Sequence, residues 1–164
     1  MSNNVMQNMI YLDHHSTTPV DEAVLQHMLP YFNEIYGNAA SVDHEAGNIA
    51  KQAVEKSRIA CQKLINAKSE KEIIFTSGAT ESDNIAIFGI AEQYASKGDH
   101  IITCVTEHKA VLDCCERLES MGKQVTYLPV DEYGLVDLDQ LEDAITEETI
   151  LITIMFANNE IGTI

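Results

Sequence analysis

The chain has 164 residues, 45% of them apolar and 22% charged, which suits one ordinary domain with a sizeable core. Its 26 acidic residues against 10 basic ones give a formal net charge of −16, which opposes nucleic acid and anionic membrane as partners. The longest apolar run, within 150–157, is broken by Thr153 and is far too short to span a bilayer.

The opening MSNNVMQNMIYLDHH lacks a basic region and a continuous apolar stretch, so no secretory leader is read there. A short strand is expected at Ile10–Asp13, followed by HHSTTPVD as a turn and helix start. Pro19 suits a first helical turn, and Asp21 and Glu22 favour the positive end of a helix. That helix is predicted over 21–32, bent or shortened by Pro30. The loop YGNAASVDH comes next.

Ala46, Ile49, Ala50, Ala53, Val54, Ala60, Cys61, Leu64 and Ile65 recur at three- and four-residue steps, the pattern of an amphipathic helix. A strand is expected over 72–76 and a second helix over 80–96, ended by a left-handed Gly98. HIITCV reads as a strand and 108–121 as a helix closed by Gly122. QVTYLPV reads as a strand and DEYG as a turn, and Asp137 with Gln140 forms a capping pair for a short helix through Ile145. TILITIMF reads as a strand buried on both faces.

Strands alternating with helices predict an α/β fold with a largely parallel sheet and helices on both faces. The chain stops at ANNEIGTI with no covering helix, so the domain is expected to be incomplete at its carboxyl end, with a poorly soluble apolar edge around Ile150, Ile152 and Ile154. An amino-terminal arm with the first strand (1–18) and a partial large domain (19–164) are the expected divisions. Cys61, Cys104, Cys114 and Cys115 show no CxxC spacing, and adjacent Cys114 and Cys115 face different sides of a helix. They read as reduced thiols of a cytoplasmic protein, with no metal site.

Ligands of open α/β sheets bind beyond the carboxyl ends of the strands. Three segments fall there: Thr76–Thr80, Thr106–His108 and Ala157–Glu160, and they are expected to converge. In the first, Gly78 admits a close approach, and the amides of Ala79, Thr80 and Glu81 open a helix whose dipole is positive at that end. Ser77 and Thr80 add hydroxyls, so the segment reads as a phosphate cup, although Ser and Thr beside Gly are also ordinary capping residues. No GxxxxGK[ST] or GxGxxG is present. His108 can stack on a flat ring or move a proton, or simply start a helix. The Asn158-Asn159-Glu160 turn can bond a phenolic oxygen or a carboxylate, or serve only as a turn.

YLDHHSTTP, YGNAAS, FTSGATESDN, TEHKAVL and MFANNEIG occur in that order. Together they resemble the amino-terminal half of pyridoxal-phosphate-dependent cysteine desulfurases, in the class V aminotransferase branch of the fold-type I enzymes. The resemblance runs from about Ile10 to the end, with Ala39 standing where the related GNPAS carries proline. It implies a large domain of fold type I holding pyridoxal 5'-phosphate, with Ala79 and Thr80 on the phosphate, His108 stacked on the ring and assisting proton transfer, and Asn159 near the phenolic oxygen. TEHKAVL is similar to the form that serves iron–sulfur assembly and nitrogenase maturation.

The reaction so implied converts L-cysteine to L-alanine in a homodimer and passes sulfane sulfur to an iron–sulfur scaffold or another acceptor. The family's pyridine-pairing aspartate, Schiff-base lysine and mobile-loop cysteine are expected beyond Ile164, which implies an inactive isolated chain. Lys109 reads as a helix-start residue, because the family has a lysine there besides its Schiff-base lysine. Two alternatives are a non-catalytic subunit that pairs with a complete desulfurase, and another class V aminotransferase or lyase.

Overall fold

Capping and proline chemistry set the first helices. The computed structural model describes residues 9–14 and 16–164, in two units, Met1–Phe75 and Thr76–Ile164. Part of the expected arm, 1–8, and His15 of the HHSTTPVD turn lie outside the described residues. Ile10–Asp13 is not a strand; the chain turns at once, with the Ser16 amide on the Asp13 carbonyl at 3.1 Å.

In the first unit, α1 spans Glu22–Met28, its N-cap Asp21 accepting from the Ala23 amide at 2.9 Å and the Val24 amide at 3.3 Å. Pro30 has no N–H to continue that ladder, so it restarts the chain as the first residue of α2, Pro30–Asn33. Pro19 precedes the N-cap and is outside the first turn. The amphipathic segment forms α3, Glu45–Leu64, capped by the His44 Nδ1 atom, which accepts from the Gly47 amide at 3.1 Å.

The strand expected over 72–76 is absent from the sheet. Glu70–Glu72 is a single 3₁₀ turn, Ile73 is extended, and 73–76 joins no strand. Its backbone is satisfied locally: the Ile73 amide reaches Glu70 O at 3.2 Å, and the Arg58 guanidinium donates to Ile73 O and lies 4.9 Å from the Phe75 ring centroid.

The second unit is built on a parallel sheet of β1 (His100–Cys104), β2 (Gln124–Leu128) and β3 (Thr149–Ile152), in the order β2-β1-β3. Alternation along β1 divides its side chains between two layers. Ile101 packs with Ile87 and Ala91 of α4 (Ala79–Gln93) and with Val111, Cys115 and Leu118 of α5 (Lys109–Ser120). Ile102, Cys104 and Leu128 pack with Leu141 and Ala144 of α6 (Leu138–Ala144). Helices therefore cover both faces, as expected. Each fully buried Ile or Leu contributes roughly 1.5–3 kcal/mol.

The capping pair forms: the Asp137 carboxylate accepts from the Asp139 amide at 2.9 Å and from Gln140 Nε2 at 3.2 Å. Gly122 closes α5 with φ +91°. Gly98 corrects the expectation of a left-handed stop, since its φ is not positive. It is buried instead, and a Cβ there would lie 2.2 Å from Glu148 O. β3 is shorter than expected and only partly buried, because it is an edge strand of the described sheet. Thr153 still donates to Ile102 O at 2.9 Å, but the Met155 amide leaves the ladder for the Glu107 carboxyl.

Candidate functional site

The three candidate segments lie in the second unit, where Thr76–Thr80 leads into α4, Thr106–His108 follows β1, and 157–160 follows β3. Gly78 is the N-cap of α4, and no side chain caps this fifteen-residue helix. The Ala79 and Thr80 amides therefore present the positive helix end to an exposed loop. A Cβ at Gly78 would meet nothing within 4 Å, so the approach is open.

The loop already draws one negative charge. Glu81 Oε2 accepts from the Ser77 amide at 2.6 Å and from the Ser77 hydroxyl at 2.7 Å. These bonds, the amide first, hold the Glu81 carboxyl below its ordinary range. Thr76 Oγ1 braces the turn, donating to Gly78 O at 3.1 Å and lying 2.8 Å from Ser82 Oγ. With Glu81 engaged on Ser77, the Ala79 and Thr80 amides stay available, and the donor set fits a phosphate group.

His108 is exposed and is the N-cap of α5. Its Nδ1 accepts from the Ala110 amide at 3.1 Å, a bond that uses the Nδ1 lone pair and so selects the tautomer with its proton on Nε2. Lys109 points away to Asp113, Nζ to Oδ1 2.7 Å, and the bond and charge of Asp113 raise its pKa.

The Asn158-Asn159-Glu160 turn divides its labour. Asn158 Nδ2 donates to Thr106 O at 3.1 Å, and Asn158 Oδ1 accepts from the amides of Glu160 at 2.8 Å and Ile161 at 3.0 Å. Asn159 is exposed, and its side chain takes no part in these bonds. The loops after β1 and β3 are thus joined directly. No hydrogen bond links Ser77–Thr80 to either; α4 approaches through its packing on α5, and the negative charge of Asp83 in its first turns bears on Glu107.

Two carboxylates of this edge went unread in the sequence. Glu81 stands one helical turn after Ser77, a spacing that signals a side chain reaching back across the helix start. Glu107 gave no such signal: it is buried by tertiary structure, and its burial raises its pKa against the bonds from Met155, His108 and Cys104. A cavity of ≈170 Å³ beside it is lined by Cys104, Thr106, Val136, Met155 and Asn158 among others.

The cysteines offer no ready nucleophile. Cys104, Cys114 and Cys115 are buried and Cys61 is half-buried. Burial pushes the Cys114 thiol up, and that of Cys115 up to about 11. Among the described residues no cluster of His, Cys, Asp or Glu suits a metal ion, and no helix is long and apolar enough to cross a membrane.

The sequence pattern of the family described as Aminotransferase class-V matches residues 10–164. The chain belongs to this family. Among similar class V relatives, the cysteine desulfurase IscS of Neisseria meningitidis serogroup C is 56% identical over 155 residues, which are 94% of this chain and 38% of the relative. The cysteine desulfurase IscS of Rickettsia massiliae is 52% identical over the same shares. In three dimensions the chain is similar to a NifS-like protein, with a TM-score of 0.89, 43% identity, and coverage of 94% of this chain and 42% of that one. It is also similar to SspA, solved in complex with cysteine, with a TM-score of 0.84, 39% identity, and coverage of 93% and 43%. This class V chain therefore spans well under half the length of the relatives it matches.

Proposed function

We propose that this chain is the coenzyme-holding, amino-terminal portion of a cysteine desulfurase that converts L-cysteine to L-alanine and delivers sulfane sulfur for iron–sulfur cluster assembly. The observation that carries the reading is the 56% identity to an IscS desulfurase across 94% of the chain. Pyridoxal 5'-phosphate, when bound, supplies an electron sink for charge developing at the substrate α-carbon.

The chain's own residues have separable tasks. Ala79 and Thr80 hold the phosphate with backbone amides at the positive end of α4, so the cup works despite the acidic chain. His108 lies against the coenzyme ring, oriented by its bond from Ala110, and keeps a proton on Nε2. Asn159 offers its exposed amide to the phenolic oxygen or the substrate carboxylate. The covalent steps fall to a lysine and a cysteine elsewhere in the complete enzyme. Lys109 is committed to Asp113 with a raised pKa, and three of the four thiols are buried. The complete enzyme is read as a homodimer with an iron–sulfur scaffold as sulfur acceptor, and as cytoplasmic, the last in keeping with four free cysteines.

The test is alanine and persulfide formation from L-cysteine by the full-length polypeptide carrying these residues. His108→Ala is expected to lower kcat by about 10²–10⁴-fold. An enzyme that ignores L-cysteine, or that tolerates the substitution, contradicts the reading.

A further inference from the structure

We propose that Glu107 is a positioning residue, whose buried carboxyl fastens the segment after β3 to the segment after β1 so that His108 and Asn159 are presented together. The inference rests on the coenzyme reading above, and the observations behind it are geometric.

Glu107 is only 8% exposed, and neither ion pair found among the described residues includes it. A buried carboxyl without a cation is costly unless its lone pairs are taken. Here Oε1 accepts from the Met155 amide and from Cys104 Sγ at 3.8 Å. The Met155 bond replaces a rung of the sheet. Thr153 donates to Ile102 O, so a continuing parallel ladder would send Met155 to the Cys104 carbonyl. That carbonyl instead accepts from the Glu107 amide at 3.4 Å. Glu107 thus fills both halves of the missing rung and peels the chain off the sheet at Met155.

A second tie exchanges the side-chain and backbone roles: Asn158 Nδ2 donates to Thr106 O at 3.1 Å. Residues 106–107 and 155–158 are therefore cross-fastened twice. The next residue outward on each side is exposed: His108 on one, Asn159 on the other. Sheet geometry alone would have carried the second segment along β3, away from this arrangement.

The experiment compares wild type, Glu107→Leu, Glu107→Gln and His108→Ala by hydrogen exchange of the Met155 amide and by equilibrium binding of pyridoxal 5'-phosphate. Glu107→Leu is expected to speed Met155 exchange about tenfold or more, with β1 and β2 amides unchanged, and to weaken coenzyme binding about tenfold. Glu107→Gln keeps an acceptor at Oε1 and is expected within about threefold of wild type on both readings. His108→Ala weakens the coenzyme without moving Met155.

Unchanged Met155 exchange in Glu107→Leu overturns the proposal, as does faster exchange with undiminished coenzyme affinity. If Glu107→Leu does not fold, Asn158→Ala replaces it: the proposal expects severalfold weaker coenzyme binding with β1 protection intact, and unaltered binding overturns it. A wild-type protein that takes up no coenzyme sinks the functional reading, while Met155 exchange still decides whether Glu107 is the fastening.

Discussion

The carboxylate of Glu81 receives both the backbone N–H and the hydroxyl of Ser77, at 2.6 and 2.7 Å, across the turn that opens α4. Its folded pKa is lowered, so this support is present above the ordinary carboxylate value and is lost as pH falls through the folded value. The Ser77 amide resonance is expected to titrate with a midpoint below the ordinary 4.5. Glu81→Gln should abolish that titration while leaving the α5 amides unmoved.

His100 and Thr103 make opposite predictions on one strand. The His100 ring is buried between Thr149 Oγ1 at 2.8 Å and Thr126 Oγ1 at 2.9 Å, linking β1 to both neighbours. His100→Ala removes that bridge and leaves a cavity, with an expected loss of about 2–4 kcal/mol in denaturant unfolding. Thr103 Oγ1 is fully buried with no hydrogen-bond partner among the described residues. Thr103→Val keeps the shape and removes the stranded hydroxyl, so a gain of about 1 kcal/mol is expected.

Two glycines separate close approach from mere tolerance. A Cβ at Gly98 would press on the Glu148 backbone, so Gly98→Ala is expected to destabilise by about 1–3 kcal/mol. Gly89, on the exposed side of α4, has open space, and Gly89→Ala is expected to stabilise by about 0.5–1 kcal/mol. Melting temperatures of the two variants should move in opposite directions.

Thiol labelling of the folded chain checks the cysteine assignments. At pH 8, Cys114 and Cys115 are expected to label far more slowly than Cys61, because burial blocks access and raises their pKa values. Rapid labelling of Cys115, followed by mass spectrometry of the peptide, contradicts the packing of α5 against β1.

Local chemistry made much of the fold readable. The Asp137 capping pair and the closure of α5 at Gly122 appear as read, and Pro30 does shorten the first helix, although Asp21 turns out to be its N-cap and not its first residue. Misreadings arose where tertiary context decided. Ile73–Phe75 has a strand's composition, but its backbone is taken by Glu70 and Arg58. Gly98 sits at a helix end, yet what requires its missing side chain is Glu148, fifty residues on. At the candidate site, hydroxyls and glycine at a helix start suggested a phosphate cup, and motif order pointed to His108 and Asn159 as its proposed partners. Nothing in the sequence pattern marked Glu107, because an acid between a threonine and a histidine reads as surface until the fold buries it.

The central claim is that the amino end of α4 and the cap of α5 form one coenzyme site, and amide NMR during titration with pyridoxal 5'-phosphate tests it most directly. Saturable shifts concentrated on Ala79 and Thr80, with the His108 ring resonances moving at the same midpoint, are the predicted result. Shifts clustered around α6 and the 131–137 turn, or none that saturate, would contradict it.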